Sequence, residues 1–348
     1  MKHHDVIKGN VDFPENDQDI VIIKSDGLPT YHFAHAVDDH LMGTTHVIRG
    51  DEWLSSVPLH LQLFQTLGFK APKYAHIAPI MKEEDGIKRK LSKRKDPEAA
   101  VSYYLEAGIP EEAVDEYLLN IANSNFEQWR KQNPDADMNE FELHLNKMSV
   151  SGALFDMIKL LDISKRVISK YTAQEVYDKA ICWAEKYDIN LKEILEKDKH
   201  YTLQVLGIER GNAKPRKDIA KWSDLKENIM YLYDEEFFAD SHEYEFQKIN
   251  DKKEIKGIIE TYLNQYFDIQ DDKETWFNKI KDLAQEHGYA REVKEYKQNS
   301  EAYKGHVGDI STVIRVCLTK RPNTPDMYEI MQVLGKASVI KRLENAIK

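Results

Sequence analysis

A chain of 348 residues is too long for one ordinary core, so two or three domains are expected, and a 41% hydrophobic content is ample to fill them. The formal net charge of −11 argues against a surface coated for nucleic acid. It leaves room for a local basic track, because phosphate contacts respond to local potential. No apolar run approaches a membrane span and no secretory signal is visible, so no membrane partner is expected. The two cysteines, Cys182 and Cys317, lie far apart and are expected as buried thiols of a reducing cytoplasm, not as a disulfide or a metal site.

Taken in order, residues 6–13 mix apolar and polar side chains like the end of a strand. The β-branched run Ile20-Val21-Ile22-Ile23 reads as a buried strand, and Asp26-Gly27-Leu28-Pro29 has turn chemistry. Residues 30–34 read as the next strand. Residues 46–49 read as another, ending in Arg49, a charge that cannot stay unpaired if buried. Residues 56–67 carry Leu59, Leu61, Leu63, Phe64 and Leu67, a helix packed on a sheet, and residues 75–81 form a further apolar strand. This alternation predicts an α/β fold with a parallel sheet.

The run Lys88-Arg89-Lys90-Leu91-Ser92-Lys93-Arg94-Lys95 then reads as a basic loop. It lies between that strand and a helix start at Asp96-Pro97-Glu98. Lys90 and Lys93 flank Ser92, so two point charges and a hydroxyl can face one anion, the arrangement polyphosphate requires. Alone, such a cluster is commonly a solvated face. Beyond it, helices are predicted over 97–107 and 111–121, split at Gly108-Ile109-Pro110. A polar loop is predicted over 123–137, and short elements over 141–143 and 150–161. From residue 172 onward nearly everything has helical period, broken at 212–215 and 321–325, which predicts an all-α region.

Lys90-Leu91-Ser92-Lys93-Arg94 resembles the KMSKS signature of class I aminoacyl-tRNA synthetases, in the KLSKR form common in glutamyl-tRNA synthetases. Two longer blocks precede it, Ser25-Asp26-Gly27-Leu28-Pro29-Thr30-Tyr31-His32-Phe33-Ala34 and residues 37–53, from Val37-Asp38-Asp39-His40 to Arg49-Gly50-Asp51-Glu52-Trp53. In this order they resemble the second half of the glutamyl-tRNA synthetase catalytic domain. The resemblance implies a partial Rossmann-like catalytic domain over 1–95, a stem-contact region over 96–170, and an α-helical anticodon-binding domain over 171–348. The implied reaction joins glutamate and ATP into glutamyl-adenylate and then esterifies tRNA for glutamate. Magnesium would travel with ATP, and no protein-bound metal is implied. A cytoplasmic monomer is expected.

The resemblance also assigns residues. Arg49 suits a carboxylate because its planar fork can hold two oxygens, and Tyr31 and His35 would join it around glutamate. His35 departs from many bacterial members, which carry Asn there. The bland reading of Arg49 is a salt bridge to Asp51 or Glu52. Glu52 would accept from ribose hydroxyls, with Trp53 as a flat wall. Ile80 would meet adenine through its backbone, and Lys90, Leu91, Ser92, Lys93 and Arg94 would hold the phosphates, with Lys90, Ser92 and Lys93 catalytic. Arg315, Lys320 and Arg321 are candidates for tRNA contact beside the Pro322 break. Asp38-Asp39-His40 reads as structural hydrogen bonding, and His60 and His76 as packing or surface residues.

The HIGH signature of class I enzymes is not found near the start, and His306-Val307-Gly308-Asp309 imitates it without the strand-turn-helix context. The chain is therefore expected to be a truncated form or a fragment-like gene product, inert alone. The competing expectation is a tRNA-binding or regulatory module that has shed catalysis. Retention of Arg49, Glu52 and the whole KLSKR run favours the first. A glutaminyl-tRNA synthetase is a third relation, disfavoured by the helical C-terminal region.

Overall fold

The computed structural model describes residues 1–17 and 19–348 and divides them into two compact units. The first comprises residues 1–104 and 111–163, the second residues 105–110 and 164–348.

In the first unit, β1 (Lys2–Asp5) and β2 (Gly9–Asp12) form an antiparallel hairpin, and the Val6 N–H donates to the Tyr74 carbonyl at 2.8 Å. β3 (His46–Gly50) and β4 (Lys73–Ile77) pair in parallel, with Arg49 opposite His76. Between them run a 3-10 turn over Asp51–Ser56 and α2 (Val57–Thr66), which has Pro58 in its first turn and buries Val57, His60 and Phe64. This is the α/β crossover that the alternating pattern predicts.

Three expectations are corrected here. Residues 30–34 are not a strand: Thr30 precedes α1 (Tyr31–Leu41), whose buried face is made by His35 and Ala36. An apolar period is hard to see when a histidine occupies the inner face. Residues 20–23 are not a buried strand either. Val21 and Ile23 are 65% and 51% exposed, and the segment is tied by one bridge, Ile23 to Pro29. The apolar segment 75–81 is two elements, because β4 ends at Ile77 and Pro79 separates it from β5 (Met81–Glu84).

The basic run is not wholly a loop. β5 and β6 (Ile87–Lys90) form an antiparallel hairpin that carries Lys88, Arg89 and Lys90. Its turn places Asp85 at φ 52° and Gly86 at φ 78°, the two left-handed residues of an Asp-Gly hairpin turn. A 3-10 turn over Pro97–Ala99 and the short helix α3 (Val101–Ala107) replace the single helix expected over 97–107. α4 (Glu111–Ala122) follows as expected. The polar segment 123–137 holds α5 (Phe126–Gln132), with Phe126 fully buried and Arg130 ion-paired to Glu116. α6 (Met157–Lys170) is far longer than the short element expected there.

The second unit is helical throughout, with α7 (Ala173–Tyr187), α8 (Ile189–Lys197) and α9 (Lys199–Gly207) leading into α10 (Leu225–Ile229) and α11 (Asp234–Ala239). α12 (Lys252–Thr261), α13 (Lys273–Glu286), α14 (Val293–Gln298), α15 (Val307–Thr319) and α16 (Met327–Ala346) complete it. Thr172, Asp188, Asp198, Asp251, Asp272, His306 and Asp326 cap these helices with their own side chains. His306 accepts from the Gly308 N–H while Asp309 reaches back to the His306 N–H, so the HIGH-like tetrad is a helix cap. Arg342 is fully buried and donates to the Tyr231, Leu232 and Leu318 carbonyls and to Asp234, over the Phe237 ring at 4.0 Å.

Gly108 sits at φ 77°, where a Cβ would meet Trp222 Cβ at 2.8 Å, so the expected break there has a steric reason as well. Cys317 is buried, and burial pushes its thiol up to about 12, whereas Cys182 is exposed, against expectation. No helix among the described residues is long and apolar enough to cross a membrane.

Candidate functional site

The first unit gathers its charged chemistry at the ends of β3, β4 and the β5–β6 hairpin. Arg49, on β3, directs Nε to His76 Nε2 at 3.0 Å, Nη1 to His60 Nδ1 at 3.1 Å and Nη2 to the Trp53 carbonyl at 3.2 Å. Its guanidinium lies 4.8 Å from the Tyr74 ring centroid. All three acceptors are neutral, and no carboxylate pairs with Arg49 among the described residues. The bland reading of Arg49 as a salt bridge to its neighbours is therefore corrected. Asp51 pairs with Lys8 at 3.3 Å and Glu52 with Lys90 at 3.4 Å. A guanidinium has five N–H donors, so one remains on each terminal nitrogen, a fork suited to a carboxylate.

The histidines around Arg49 are not surface residues. His60 and His76 are fully buried. The fully buried Asp5 carboxylate accepts from His76 Nδ1 at 2.6 Å and from the Ile7 and Lys8 N–H groups. This fixes the His76 tautomer, leaving Nε2 to accept from Arg49. His60 is fixed in the opposite sense, with Nδ1 accepting from Arg49 and Nε2 donating to His32 Nδ1 at 2.9 Å. Burial, then the neighbouring His35 and Arg49, pushes the His60 imidazole down to about 3. Burial lowers His35 and His76 as well. Both rings of this pocket that sequence reasoning leaves aside, His60 and His76, reach Arg49 from other elements. A histidine on the inner face of an amphipathic helix was the available signal.

His35 and Tyr31 stand on one face of α1. His35 bonds Asp39 at 2.5 Å and the Tyr74 hydroxyl at 2.8 Å. The Tyr31 ring is half-exposed, 4.4 Å from the Trp53 ring and stacked on His35. So the structure brings Tyr31, His35, Arg49 and Trp53 together. Of the Asp38-Asp39-His40 block, Asp39 holds His35 and His40 stacks on Phe69.

Lys90, Lys93 and Arg94 are exposed, while Leu91 and Ser92 are half-buried. Leu91 donates to the Ile80 carbonyl at 2.8 Å, so the Ile80 backbone sits at the root of the basic turn. Glu52 pairs with Lys90, its carboxyl held below the usual range by a backbone N–H and by Lys90.

In the helical unit, Lys320 ends α15 at φ 55° and donates to the Asp240 carbonyl at 2.5 Å. Arg321 lies 4.9 Å over the Tyr231 ring, and Arg315 Nη1 reaches the Pro322 carbonyl at 3.4 Å. Lys320, Arg321 and Tyr231 line a cavity of about 560 Å³ together with Glu227, Glu236, Asp240 and Glu243. Arg315 lines a different cavity, with Trp276 and Phe277. Lys320 and Arg321 thus line one cavity and Arg315 another, while Thr319 Oγ1 donates to both the Arg315 and the Arg321 carbonyls.

Residues 1–180 match the family model described as tRNA synthetases class I (E and Q), catalytic domain, and residues 190–347 match an anticodon binding domain. Over 98% of the chain, it is 54% identical to a glutamate–tRNA ligase of Clostridium perfringens, and over 99% it is 49% identical to one from Acetivibrio thermocellus. The chain spans 62% of the length of each of these relatives. A crystal structure of a glutamate tRNA ligase from Elizabethkingia meningosepticum in complex with its amino acid superposes with a TM-score of 0.72 at 23% identity. It covers all of this chain and 66% of that one, a likeness of fold.

Proposed function

Because the chain belongs to the class I tRNA synthetases of the glutamate and glutamine type, with a catalytic-domain region followed by a helical anticodon-binding domain, we propose that it serves as the KLSKR-bearing portion of a glutamate–tRNA ligase. The observation that carries this reading is Arg49, a guanidinium held by neutral partners with one N–H left on each terminal nitrogen. Such a group is poised for a carboxylate, and none of the described residues supplies one. Tyr31 and His35 would complete the glutamate pocket. Glu52 and the Ile80 backbone would hold the nucleoside of ATP. Lys90, Leu91, Ser92, Lys93 and Arg94 would grip its phosphates, with Lys90 and Lys93 countering charge on the departing pyrophosphate while magnesium arrives with ATP.

The same proposal divides the chain into a partial Rossmann-like region over 1–95, a stem-contact region over 96–170 and an anticodon-binding region over 171–348, acting as a cytoplasmic monomer. The intact basic turn favours this over a pure tRNA-binding or regulatory module, which has no need of phosphate chemistry.

Within these residues the HIGH block is not found, and catalytic groups act as a unit. The chain by itself is therefore expected to show no ATP–pyrophosphate exchange with glutamate and tRNA at an enzyme-like rate. In a complete enzyme containing this segment, Lys93→Ala should slow adenylate formation more than it weakens glutamate binding, because charge builds on phosphate only in the transition state. Rapid-quench data with an unchanged activation rate would remove the assigned role of Lys93.

A further inference from the structure

Asp96 stands immediately after the basic turn. From the sequence it reads only as part of a helix start, yet its carboxylate is 1% exposed in the most cationic segment of the chain. It accepts the Arg89 fork through Nη1 at 2.7 Å and Nη2 at 2.8 Å, the Ser92 N–H at 2.8 Å and the Lys82 ammonium at 3.2 Å. Arg89 Nε is taken by Glu84 at 2.7 Å, and Lys82 also pairs with Glu98. The Arg89 fork, then the Ser92 N–H and Lys82, hold the Asp96 carboxyl far below the usual range.

The backbone closes the same knot from the other side. The Lys95 and Asp96 N–H groups both donate to the Ser92 carbonyl, at 3.0 Å and 2.8 Å. Ser92 is therefore fixed at both its N–H and its C=O, and the turn over residues 93–95 is closed upon it. Lys82 and Arg89 are consumed by carboxylates, while Lys90, Lys93, Arg94 and Lys95 stay exposed.

We propose that Asp96 is a positioning residue for the phosphate-binding turn: through the Arg89 fork and the Ser92 N–H it holds Lys90 and Lys93 in the arrangement that receives a polyphosphate. The proposal rests on the reading that this turn binds the phosphates of ATP. It makes a prediction opposite in sign to simple electrostatics. A buried carboxylate beside an anion site repels the anion, so charge alone says that neutralising it tightens binding. A positioning role says that the same change loosens it.

Isothermal titration of inorganic pyrophosphate into the 348-residue chain separates the two. Asp96→Asn and Arg89→Lys, the latter keeping the charge but losing the fork, should each weaken pyrophosphate binding about tenfold. Asp96→Glu, which keeps the carboxylate, should recover most of the loss, a rescue that a general loosening of the fold would not give. Equal or tighter binding by Asp96→Asn, with Arg89→Lys unchanged, overturns the positioning role while leaving the turn as the phosphate site. If Asp96→Asn fails to fold, Arg89→Lys decides alone. If the wild-type chain shows no pyrophosphate binding, the phosphate reading of the turn falls, and this proposal with it.

Discussion

At the scale of single residues, the pocket around Arg49 works because its histidines are neutral. His60 accepts from Arg49 and His76 accepts from Arg49 while donating to Asp5, so protonating either ring removes an acceptor and sets a second positive charge against the guanidinium. The folded chain holds His60 at about 3, below its ordinary 6.5, so between those values the unfolded chain binds more protons than the folded one. Stability from this group is therefore complete above about pH 6.5 and is lost as pH falls towards 3. His35 and His76 shift in the same direction. Asp5 is lowered from an ordinary 3.8, so its own contribution is lost only at more acid pH. Urea denaturation at pH 7 and pH 5 should show the wild-type chain losing about 2 kcal/mol more than His60→Gln, whose amide does not titrate. Parallel losses in the two proteins would mean that His60 is not held neutral by the fold.

At the scale of elements, the basic turn proposed to bind phosphate depends on the hairpin that presents it. Gly86, at φ 78°, sits where an L side chain is strained whatever the surrounding space. Gly86→Ala should cost about 1 kcal/mol and speed amide exchange along residues 87–90, read by mass spectrometry. Unchanged exchange there would show that the turn geometry does not hold the strand. This hairpin is also where the sequence was least legible. Asp85-Gly86 is a strong hairpin signal, but its strands are Met81–Glu84 and Ile87–Lys90, and neither has the apolar alternation by which strands are recognised. Charge patterning instead suggests a loop. By contrast α2, α4 and the long helical region show plain apolar periods, and Gly108-Ile109-Pro110 marks a true break. The run 20–23 misleads for a different reason: β-branched composition reports strand propensity and says nothing of which neighbours are present to bury it. The partners of Arg49 were hidden because they arrive from 11 and 27 positions away, while the charges nearest in sequence, Asp51 and Glu52, turn elsewhere.

At the scale of the whole molecule, the proposed engagement of tRNA must rest on local chemistry, because the chain as a whole carries a net charge of −11. The cavity beside Lys320 and Arg321 is lined by several carboxylates, Glu227, Glu236, Asp240 and Glu243 among them, which disfavour phosphate and offer acceptors for base amino groups. Recognition by the helical domain should therefore come from bases more than from the backbone. We propose above that this chain serves as the tRNA-engaging, KLSKR-bearing portion of a glutamate–tRNA ligase. The most direct test is filter binding to tRNA for glutamate and to a version with its anticodon exchanged, each across a series of salt concentrations. Contacts to phosphate alone would weaken steeply with salt and ignore the exchange. The account predicts tighter binding of the native anticodon at every salt concentration, with a shallow salt slope. Coincident curves for the two tRNAs throughout would contradict it.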